Sequence, residues 1–504
     1  MKYTEYMAMS PLQRFWYNFT QFLKAVPSGL AKFFRAIGMG IVGAITGTGK
    51  AIADYFVGFF KGGIITKISY LIMGFGNICR GQFIKGLFFL AVEVGYAFFM
   101  VTFGADYLIR FFALKGNVFT VLEEFLPGQY TEQIVADPSS VQILLFGIFV
   151  IMATLAALAI YFASVKSARY TEELVRAGKK PNKFRDDLKD MLDSKFHSTM
   201  LSLPIILICV FVLLPLFFMI LMAFTNFSTP EGNVLSFLWV GFENFGEIFQ
   251  MSGGSSSMGM TFAKIAGWTV IWAFFATFSN YILGMVVALM INKKGIKLKK
   301  LWRTMFVMSI AVPQFVTLLL IAQMLGEAPN SPLNLIVSMF TGGGEPVKLF
   351  ESALASRITV ILVNVWVGIP YTILMTTGIL MNIPEDLYES ARIDGAGPFK
   401  SFTKITLPYM LFVTTPYLIT TFIGNVNNFN IIYLLTQGGP NVNEYKYGAG
   451  KTDLLITLLY KLSVDQGRYG LGAAIGILVF LVCATLSLVT FNMTKSAKNE
   501  EAFS

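Results

Sequence analysis

The chain has 504 residues, of which 55% are hydrophobic and only 13% are charged, and its formal net charge is +10. A soluble globular domain usually carries about 25% charged residues, so this composition excludes an ordinary soluble protein and favours one that crosses a membrane several times. The three cysteines are far apart and His197 is the only histidine, which excludes a disulfide framework and a multi-histidine metal site.

The first 80 residues form a basic region that also carries many aromatic side chains, as in PLQRFWYNFTQFLKAVPSGLAKFFRAIG. This composition is typical of an amphipathic helix lying on an anionic membrane surface, so we expect residues 1–80 to be cytoplasmic or interfacial. Pro27 and the glycines of GMGIVGAITGTG break long helices, which leaves a loosely ordered extension as the alternative.

Eight later segments are apolar over roughly 20 residues, the length that a helix needs to span a bilayer. They lie near 83–105, 141–164, 201–225, 265–291, 304–325, 358–382, 408–428 and 469–492. We therefore predict an all-α integral membrane protein with about eight transmembrane helices. Residues 81–200 would contain two accessory helices and a basic loop, residues 201–495 a core, and residues 496–504 a cytoplasmic tail.

The charges of the connecting loops predict the side of the membrane on which each loop lies. Loop 165–200 holds nine Lys and Arg residues and loop 292–303 holds six, whereas loop 226–261 holds none. Because basic loops stay in the cytoplasm, both termini and residues 383–407 are predicted to be cytoplasmic. Loop 429–468 is predicted to lie outside although it holds four Lys and Arg, since long loops follow this rule poorly.

Two isolated features suggest other functions but fit them poorly. Glu93 is an acid inside the first span, and a proton relay there would indicate a secondary transporter; a structural pairing or a position at the lipid interface is the favoured interpretation. The segments GTGKA (47–51) and GAGKT (448–452) contain Gly-Lys, but Ala44 and Tyr445 stand where a phosphate loop needs its first glycine. If ATP drives this protein, we expect a partner to bind it.

The polar segment NIPEDLYESARIDGAGPFKSFTKITLP separates the sixth and seventh apolar runs. Pro384 can start a helix, and Glu385 favours its first turn. Gly395 permits a sharp break and Pro398 can open a second helix. The segment is therefore predicted to be a helix-turn-helix joined to a membrane span on each side, either a docking element or a generic loop.

The same segment resembles the EAA motif of the membrane subunits of type I ABC importers. The matching positions are Glu389, Ala391, Asp394, Gly395, Ile405, Leu407 and Pro408. Ser390 stands where the motif has alanine. The resemblance implies that this helix pair docks in a groove on an ATPase subunit and that the glutamate contacts that subunit.

Further stretches, NVWVGIPY, NVNNFNIIYLLTQGGPN and GKTDLLITLLYKL, resemble the larger membrane subunits of maltose and maltodextrin importers. This resemblance covers roughly residues 200–495. It implies a permease subunit without enzyme activity or a cofactor of its own. Its expected partners are a second, smaller permease subunit, two ATPase subunits that bind ATP and magnesium, an external sugar-binding protein, an oligosaccharide and membrane lipid, with no nucleic acid. Loop 226–261 is too short for the folded domain that some of these subunits carry there.

Two predicted spans carry polar residues at helical spacing. Asn364, Gly368 and Tyr371 share one face of the sixth span at i, i+4 and i+7, and Thr421, Asn425 and Asn428 repeat that spacing in the seventh. An unpaired Asn in hydrocarbon is costly, so both faces should point inward. From the residues alone, the asparagines could equally bind sugar hydroxyls or hold helices together.

The family resemblance favours the sugar. It implies substrate contacts at Asn364, Gly368, Tyr371, Thr421, Gly424, Asn425 and Asn428. At position 424 the maltose-type subunit has an aromatic residue, so this chain is expected to have a wider site or to take a different oligosaccharide. Maltodextrins are the expected substrate; raffinose-type, galacto-oligosaccharide or mixed substrates are the alternatives, and a proton-coupled sugar transporter is a further one.

Overall fold

The computed structural model describes residues 53–126, 129–251, 257–293, 295–343 and 345–493, together with residues 35, 39, 43, 47 and 49. Most of the predicted amphipathic region within 1–80, and all of the predicted tail 496–504, lie outside these residues. The chain divides into two compact units between Gly241 and Phe242. We call them the N-terminal unit and the C-terminal unit. The sequence prediction began the core earlier, at residue 201.

The N-terminal unit contains three helices or helix runs that are long and apolar enough to cross a membrane: Phe83–Ala113, Ser140–Arg176 and Phe196–Met222. These correspond to the first three predicted spans. Its helices are α1 (Ile64–Ile68), α2 (Phe75–Cys79), α3 (Phe83–Phe99), α4 (Ala105–Ala113), α5 (Ser140–Arg176), α6 (Phe184–Leu192), α7 (Phe196–Ile208) and α8 (Leu214–Met222). Single π-helical turns join α3 to α4 and α7 to α8.

The predicted helical membrane fold is confirmed, and a single β-hairpin is added to it among the described residues. Strand β1 (Val118–Leu126) pairs antiparallel with β2 (Gln129–Ala136) between the first two spans. The connection between these spans, residues 114–139, holds four acids. Its strand sequences VFTVLEEFL and QYTEQIVA are rich in β-branched and aromatic residues, and Pro-Gly stands between them. These are the local signals of a hairpin.

Glu93 has a structural partner in the N-terminal unit. Its Oε2 atom accepts a hydrogen bond of 2.8 Å from the backbone N–H of Met73. This contact agrees with the structural pairing that was favoured from the sequence.

The C-terminal unit contains the remaining described spans. Its helices are α9 (Glu243–Phe249), α10 (Met258–Asn292), α11 (Lys299–Ile310), α12 (Gln314–Met324), α13 (Pro332–Thr341), α14 (Ala353–Leu380), α15 (Glu385–Ile393), α16 (Pro398–Ser401), α17 (Leu407–Val426), α18 (Phe429–Thr436), α19 (Leu455–Tyr460) and α20 (Tyr469–Met493). A π-helical turn, Phe402–Thr406, connects α16 to α17.

One predicted span is broken. The apolar run 304–325 is divided between α11 and α12, which are bent by 86° relative to each other. Pro313 is the N-cap of α12, and the residue before a proline is driven out of the helical conformation, which accounts for the break. The described part of the chain therefore has seven candidate spans, or eight when the bent pair counts as one.

Helix α10 forms the centre of the C-terminal unit and packs against both α14 and α17. Small residues let the helices approach closely: a Cβ added to Gly284 of α10 would lie 2.5 Å from Cβ of Thr372 on α14. On either side of Gly284 in the sequence, Tyr281 and Met285 of α10 pack with Met410 of α17 in a buried cluster. The three helices are thereby packed closely against one another.

Candidate functional site

A polar cavity of about 210 Å³ opens between α10, α14 and α17. It brings together six of the seven sugar-site residues named from the sequence. Its lining residues are Thr277, Asn280, Tyr281, Gln314, Asn364, Val367, Gly368, Tyr371, Thr372, Tyr417, Thr421, Asn425 and Asn428. Among the described residues, none of those that line it carries a charged side chain.

Asn425 connects α17 to α10. Its Nδ2 donates to Oγ1 of Thr277 over 2.9 Å, and its backbone carbonyl accepts from Nε1 of Trp272 over 3.0 Å. Its Oδ1 accepts from Nδ2 of Asn428 over 3.3 Å. Asn425 is buried, so these bonds hold two helices together at the wall of the cavity. The helix-packing interpretation thus describes part of what this residue does.

Asn428 lines the cavity for a different reason from the one that its spacing suggested. Helix α17 ends at Val426, two residues earlier than the helical pattern required. Asn428 is instead the N-cap of α18, where its Oδ1 accepts from the backbone N–H of Ile431 over 3.3 Å. The chain therefore changes helix at the cavity, and the cap fixes the side chain there.

Asn280 is the main cavity residue that the sequence interpretation missed. Its Nδ2 donates to the carbonyls of Ala276 (2.9 Å) and Asn364 (3.3 Å), which belong to α10 and α14. Its Oδ1 is buried and has no hydrogen-bond partner among the described residues. Only 8% of Asn280 is exposed, and an unsatisfied buried acceptor costs about 1–3 kcal/mol, so a donor from a ligand would stabilise it.

The spacing of polar residues could have revealed α10 as the third wall. Thr277, Asn280 and Tyr281 lie at i, i+3 and i+4 in an apolar run, the same signal that identified the other two spans.

Gly368 has a structural reason to lack a side chain. A Cβ at this position would lie 2.5 Å from Nδ2 of Asn280. The glycine therefore leaves room for the Asn280 carboxamide between α10 and α14. Tyr371, one turn further along the same face, is 47% exposed, so its ring is available at the cavity.

Gly424 does not line the cavity, unlike the other six residues. It is exposed, and a Cβ added there would meet nothing within 4 Å. A side chain at this position would therefore begin in open space.

The segment that resembles the EAA motif, which we call the EAA segment (residues 383–408), confirms the predicted helix-turn-helix. Helix α15 follows Pro384 and carries Glu385 in its first turn. It ends in a Schellman motif: Ala396 N–H donates to the Ala391 carbonyl (2.8 Å), and Gly395 N–H donates to the Arg392 carbonyl (3.0 Å). Gly395 has φ +71°, a left-handed conformation that favours glycine.

The side chains of the EAA segment differ in exposure. Glu389 is exposed on α15, and Asp394 is the C-cap of that helix. The apolar Ile393 and Phe399 are 87% and 80% exposed. The helix pair therefore presents both charged and apolar side chains on its surface.

The remaining motif residues connect the helix pair to α17. Ile405 lies in the π-helical turn, and Leu407 and Pro408 begin α17. The hydroxyls of Tyr388 and Thr406 share a hydrogen bond of 2.8 Å, which fastens α15 to the base of α17. This hydrogen bond links α15 to the helix that carries Thr421 and Asn425.

Comparison with known proteins agrees with this arrangement. A family model described as "Binding-protein-dependent transport system inner membrane component" matches residues 280–496. The galactooligosaccharides transport system permease protein GanP of Bacillus subtilis (strain 168) is 34% identical over 434 residues, which are 85% of this chain and 97% of GanP. The chain belongs to this family of transport-system inner membrane components.

Two further relatives are named as maltodextrin permeases. The maltodextrin transport system permease protein MdxF of Bacillus subtilis (strain 168) is 32% identical over 440 residues, covering 86% of this chain and 95% of MdxF. MalC, the maltodextrin permease of Streptococcus pneumoniae serotype 4, is 28% identical over 431 residues, covering 84% of this chain and 93% of MalC. The permease is thus a multi-pass cell-membrane subunit of an ABC sugar importer, and ATP hydrolysis belongs to partner ATPases.

Proposed function

We propose that the permease carries neutral oligosaccharides of the maltodextrin type along a path that includes the cavity between α10, α14 and α17. The observation that carries this proposal is the meeting of Asn364, Gly368, Tyr371, Thr421, Asn425 and Asn428 around one space. Carboxamides and hydroxyls both donate and accept hydrogen bonds, as sugar hydroxyls require. The uncharged lining favours a neutral sugar over an acidic one.

Galacto-oligosaccharides are the second candidate substrate, because GanP and MdxF are similarly close to this chain. Competition separates the two candidates: uptake of labelled maltotriose by the assembled importer should be suppressed by an excess of unlabelled maltodextrins. No uptake of labelled maltotriose, together with uptake of a labelled galacto-oligosaccharide, would assign the second candidate.

The mechanism we propose is alternating access driven by partners. A second permease subunit would complete the path, and an external binding protein would deliver the sugar. One of two ATPase subunits, which hold ATP and magnesium, would dock on the EAA segment through Glu389 and the exposed Ile393 and Phe399. Helix α17 has 20 residues and is therefore about 30 Å long, so it can transmit motion from the EAA segment to the cavity.

The sugar site is tested by a matched set of asparagines. Asn425→Leu and Asn428→Leu each remove hydrogen-bonding groups at the cavity, and we expect each to slow uptake by about one to two orders of magnitude. Asn427→Leu is the control, because Asn427 bonds to the Ile423 carbonyl (3.3 Å) and Cys483 Sγ (3.7 Å) and does not line the cavity. The measurement is initial uptake rate per assembled complex.

Uptake normalised to the amount of complex distinguishes sugar binding from helix packing as the role of these asparagines. If Asn425→Leu and Asn428→Leu reduce the amount of complex but leave uptake per complex unchanged, their role is helix packing and the sugar site is rejected. Uptake that persists without any ATPase subunit would instead support the proton-coupled alternative.

The orientation is also a proposal, with the EAA segment in the cytoplasm and residues 437–466 outside. After replacement of the three native cysteines, Asn443→Cys should react with an impermeant thiol reagent added to intact cells, whereas Ser390→Cys should react only after permeabilisation. Both positions are exposed. The reverse pattern would invert the topology and remove the ATPase-docking proposal.

A further inference from the structure

A second polar pocket, of about 310 Å³, lies beyond the end of α18 in what we call the 437–466 segment. The pocket and the EAA segment are at opposite ends of the candidate span Pro398–Thr436. Its lining residues are Tyr433, Thr436, Gln437, Gly439, Asn441, Tyr447, Gly448, Lys461, Asp465 and Gln466. Its volume is at the lower end of the range typical of ligand pockets, about 300–1,000 Å³.

A buried ion pair fixes one side of this pocket. The Asp453 carboxylate accepts hydrogen bonds from Lys461 Nζ (2.7 Å), the Gly450 N–H (2.6 Å) and Thr457 Oγ1 (2.8 Å). Lys461 also donates to the Gly448 carbonyl over 3.1 Å. An ammonium group has three N–H donors, so one remains for a group inside the pocket.

The remaining polar side chains of the pocket suit a saccharide. The carboxamides of Gln437, Asn441 and Gln466 are exposed, and none has a hydrogen bond to another described residue. The Lys461 charge is balanced by Asp453. Asp465 lines the pocket, and the Arg468 guanidinium stacks on the ring of Tyr447, another lining residue, at 4.9 Å. Charges of both signs therefore lie at the pocket, and its carboxamides suit a neutral hydroxyl-bearing ligand.

Aromatic rings connect this pocket to the cavity. Helix α18 has eight residues and is therefore about 12 Å long; its N-cap, Asn428, lines the cavity, whereas Tyr433 lines the pocket. On this helix the rings of Phe429 and Tyr433 stack with centroids 4.7 Å apart and planes inclined by 20°. Tyr460 packs edge-on against Tyr433 at 4.9 Å. One short helix thus joins two polar sites through a row of rings.

We propose that the pocket is an outer saccharide subsite, which holds the trailing units of an oligosaccharide while its leading units occupy the cavity. This inference rests on the proposed function and extends it to the length of the transported sugar. The pocket gives longer oligosaccharides extra contacts that a disaccharide lying in the cavity does not make. The permease itself, and not only its binding protein, therefore selects for chain length.

The test compares the uptake of a long and a short sugar in the reconstituted complete importer with saturating binding protein. The probes are maltopentaose and maltose, or the pentasaccharide and disaccharide of the galacto series if that series is the one transported. Asn441→Leu and Gln466→Leu should each lower the ratio of long-sugar to short-sugar uptake by about threefold to tenfold, the effect of one lost ligand hydrogen bond. Asn443→Leu is the matched control, since Asn443 is exposed in the same segment but does not line the pocket.

Two results would overturn the subsite. An unchanged ratio in both variants would show that the pocket does not contact the sugar. An equal loss of uptake for both sugars would assign the segment to docking of the binding protein. Failure of the underlying function is separate, because it would appear as unchanged uptake of both sugars in Asn425→Leu.

Discussion

The EAA segment and the 437–466 segment lie at opposite ends of the same span and are built in opposite ways. In the EAA segment, Ile393 and Phe399 are exposed, and the Tyr388–Thr406 hydrogen bond fastens its first helix to the span. In the 437–466 segment, the charged Asp453 and Lys461 are buried and bonded within the chain. The first element leaves apolar side chains exposed, whereas the second is completed by contacts within the chain.

The attachment of the 437–466 segment to the membrane helices supports this contrast. The Thr452 carbonyl accepts from Trp268 Nε1 of α10 over 3.1 Å, and the Lys451 carbonyl accepts from Arg357 Nε of α14 over 3.0 Å. The Arg357 guanidinium also stacks on the Trp268 ring at 4.4 Å. Substitutions of the buried, bonded residues of this segment should therefore affect folding first, and substitutions in the EAA segment should affect coupling first.

The largest effect on transport is expected in the EAA segment. Gly395→Val should abolish uptake, because valine is strained at φ +71° and the Schellman turn would be lost. Glu389→Lys should do the same by placing a cation where the ATPase meets an anion. We expect normal amounts of both variants in the membrane but little ATPase co-purifying with them.

Gly397→Val is the matched control for Gly395→Val. Gly397 has φ −70° and ψ 170°, an extended conformation that valine adopts readily, and a Cβ there meets nothing within 4 Å. Normal uptake in Gly395→Val, or equal losses in both glycine variants, would contradict the role of the turn.

The next largest effect should be loss of folded protein from the 437–466 segment. Asp453→Ala leaves the buried Lys461 ammonium without its counter-ion, and breaking a buried pair in this way typically costs about 3–5 kcal/mol. We expect a lower yield and a lower temperature of thermal unfolding of the purified permease. Asp465→Ala, at an exposed position nearby, should leave both unchanged. Wild-type stability of Asp453→Ala would show that this segment is not completed internally.

The smallest effect should come from the exposed ion pairs of the same segment. Hydrogen bonds from Lys451 and Lys264 lower the pKa of Glu444. A lowered pKa stabilises the folded state above the ordinary pKa of glutamate, and that stabilisation disappears as the pH falls through the lowered value. The unfolding temperatures of wild type and Glu444→Gln should differ slightly at neutral pH and become equal at acidic pH. A decrease in unfolding temperature as large as that of Asp453→Ala would show that the exposed ion pairs also stabilise the segment.

The parts of this structure that were predictable from sequence depend on local chemistry. Pro384, Gly395 and Pro398 each restrict the backbone within a few residues, so the helix-turn-helix could be derived before any tertiary contact was known. The walls formed by α14 and α17 followed from polar residues repeated at helical spacing.

The remaining features depend on contacts between distant elements or on signals hidden in apolar runs. The break before α12 lies in a run whose hydropathy is continuous, so Pro313 was read as part of a span. The end of α17 at Val426 and the N-cap of α18 at Asn428 lie within one continuous polar pattern, so spacing did not show them. The buried Oδ1 of Asn280 that has no hydrogen bond could not be predicted either, because it depends on how α14 packs against α10.

The two ties of Asn425 to α10 also bear on how easily the sugar preference of such a permease can change. A substitution at Asn425 alters a joint between helices together with the lining, so it would disturb assembly while it altered selectivity. Gly424, its neighbour in the chain, does not line the cavity, and a Cβ added there would meet nothing within 4 Å. Redesign of the transported sugar should therefore leave Asn425 in place and begin at lining residues that do not connect two helices.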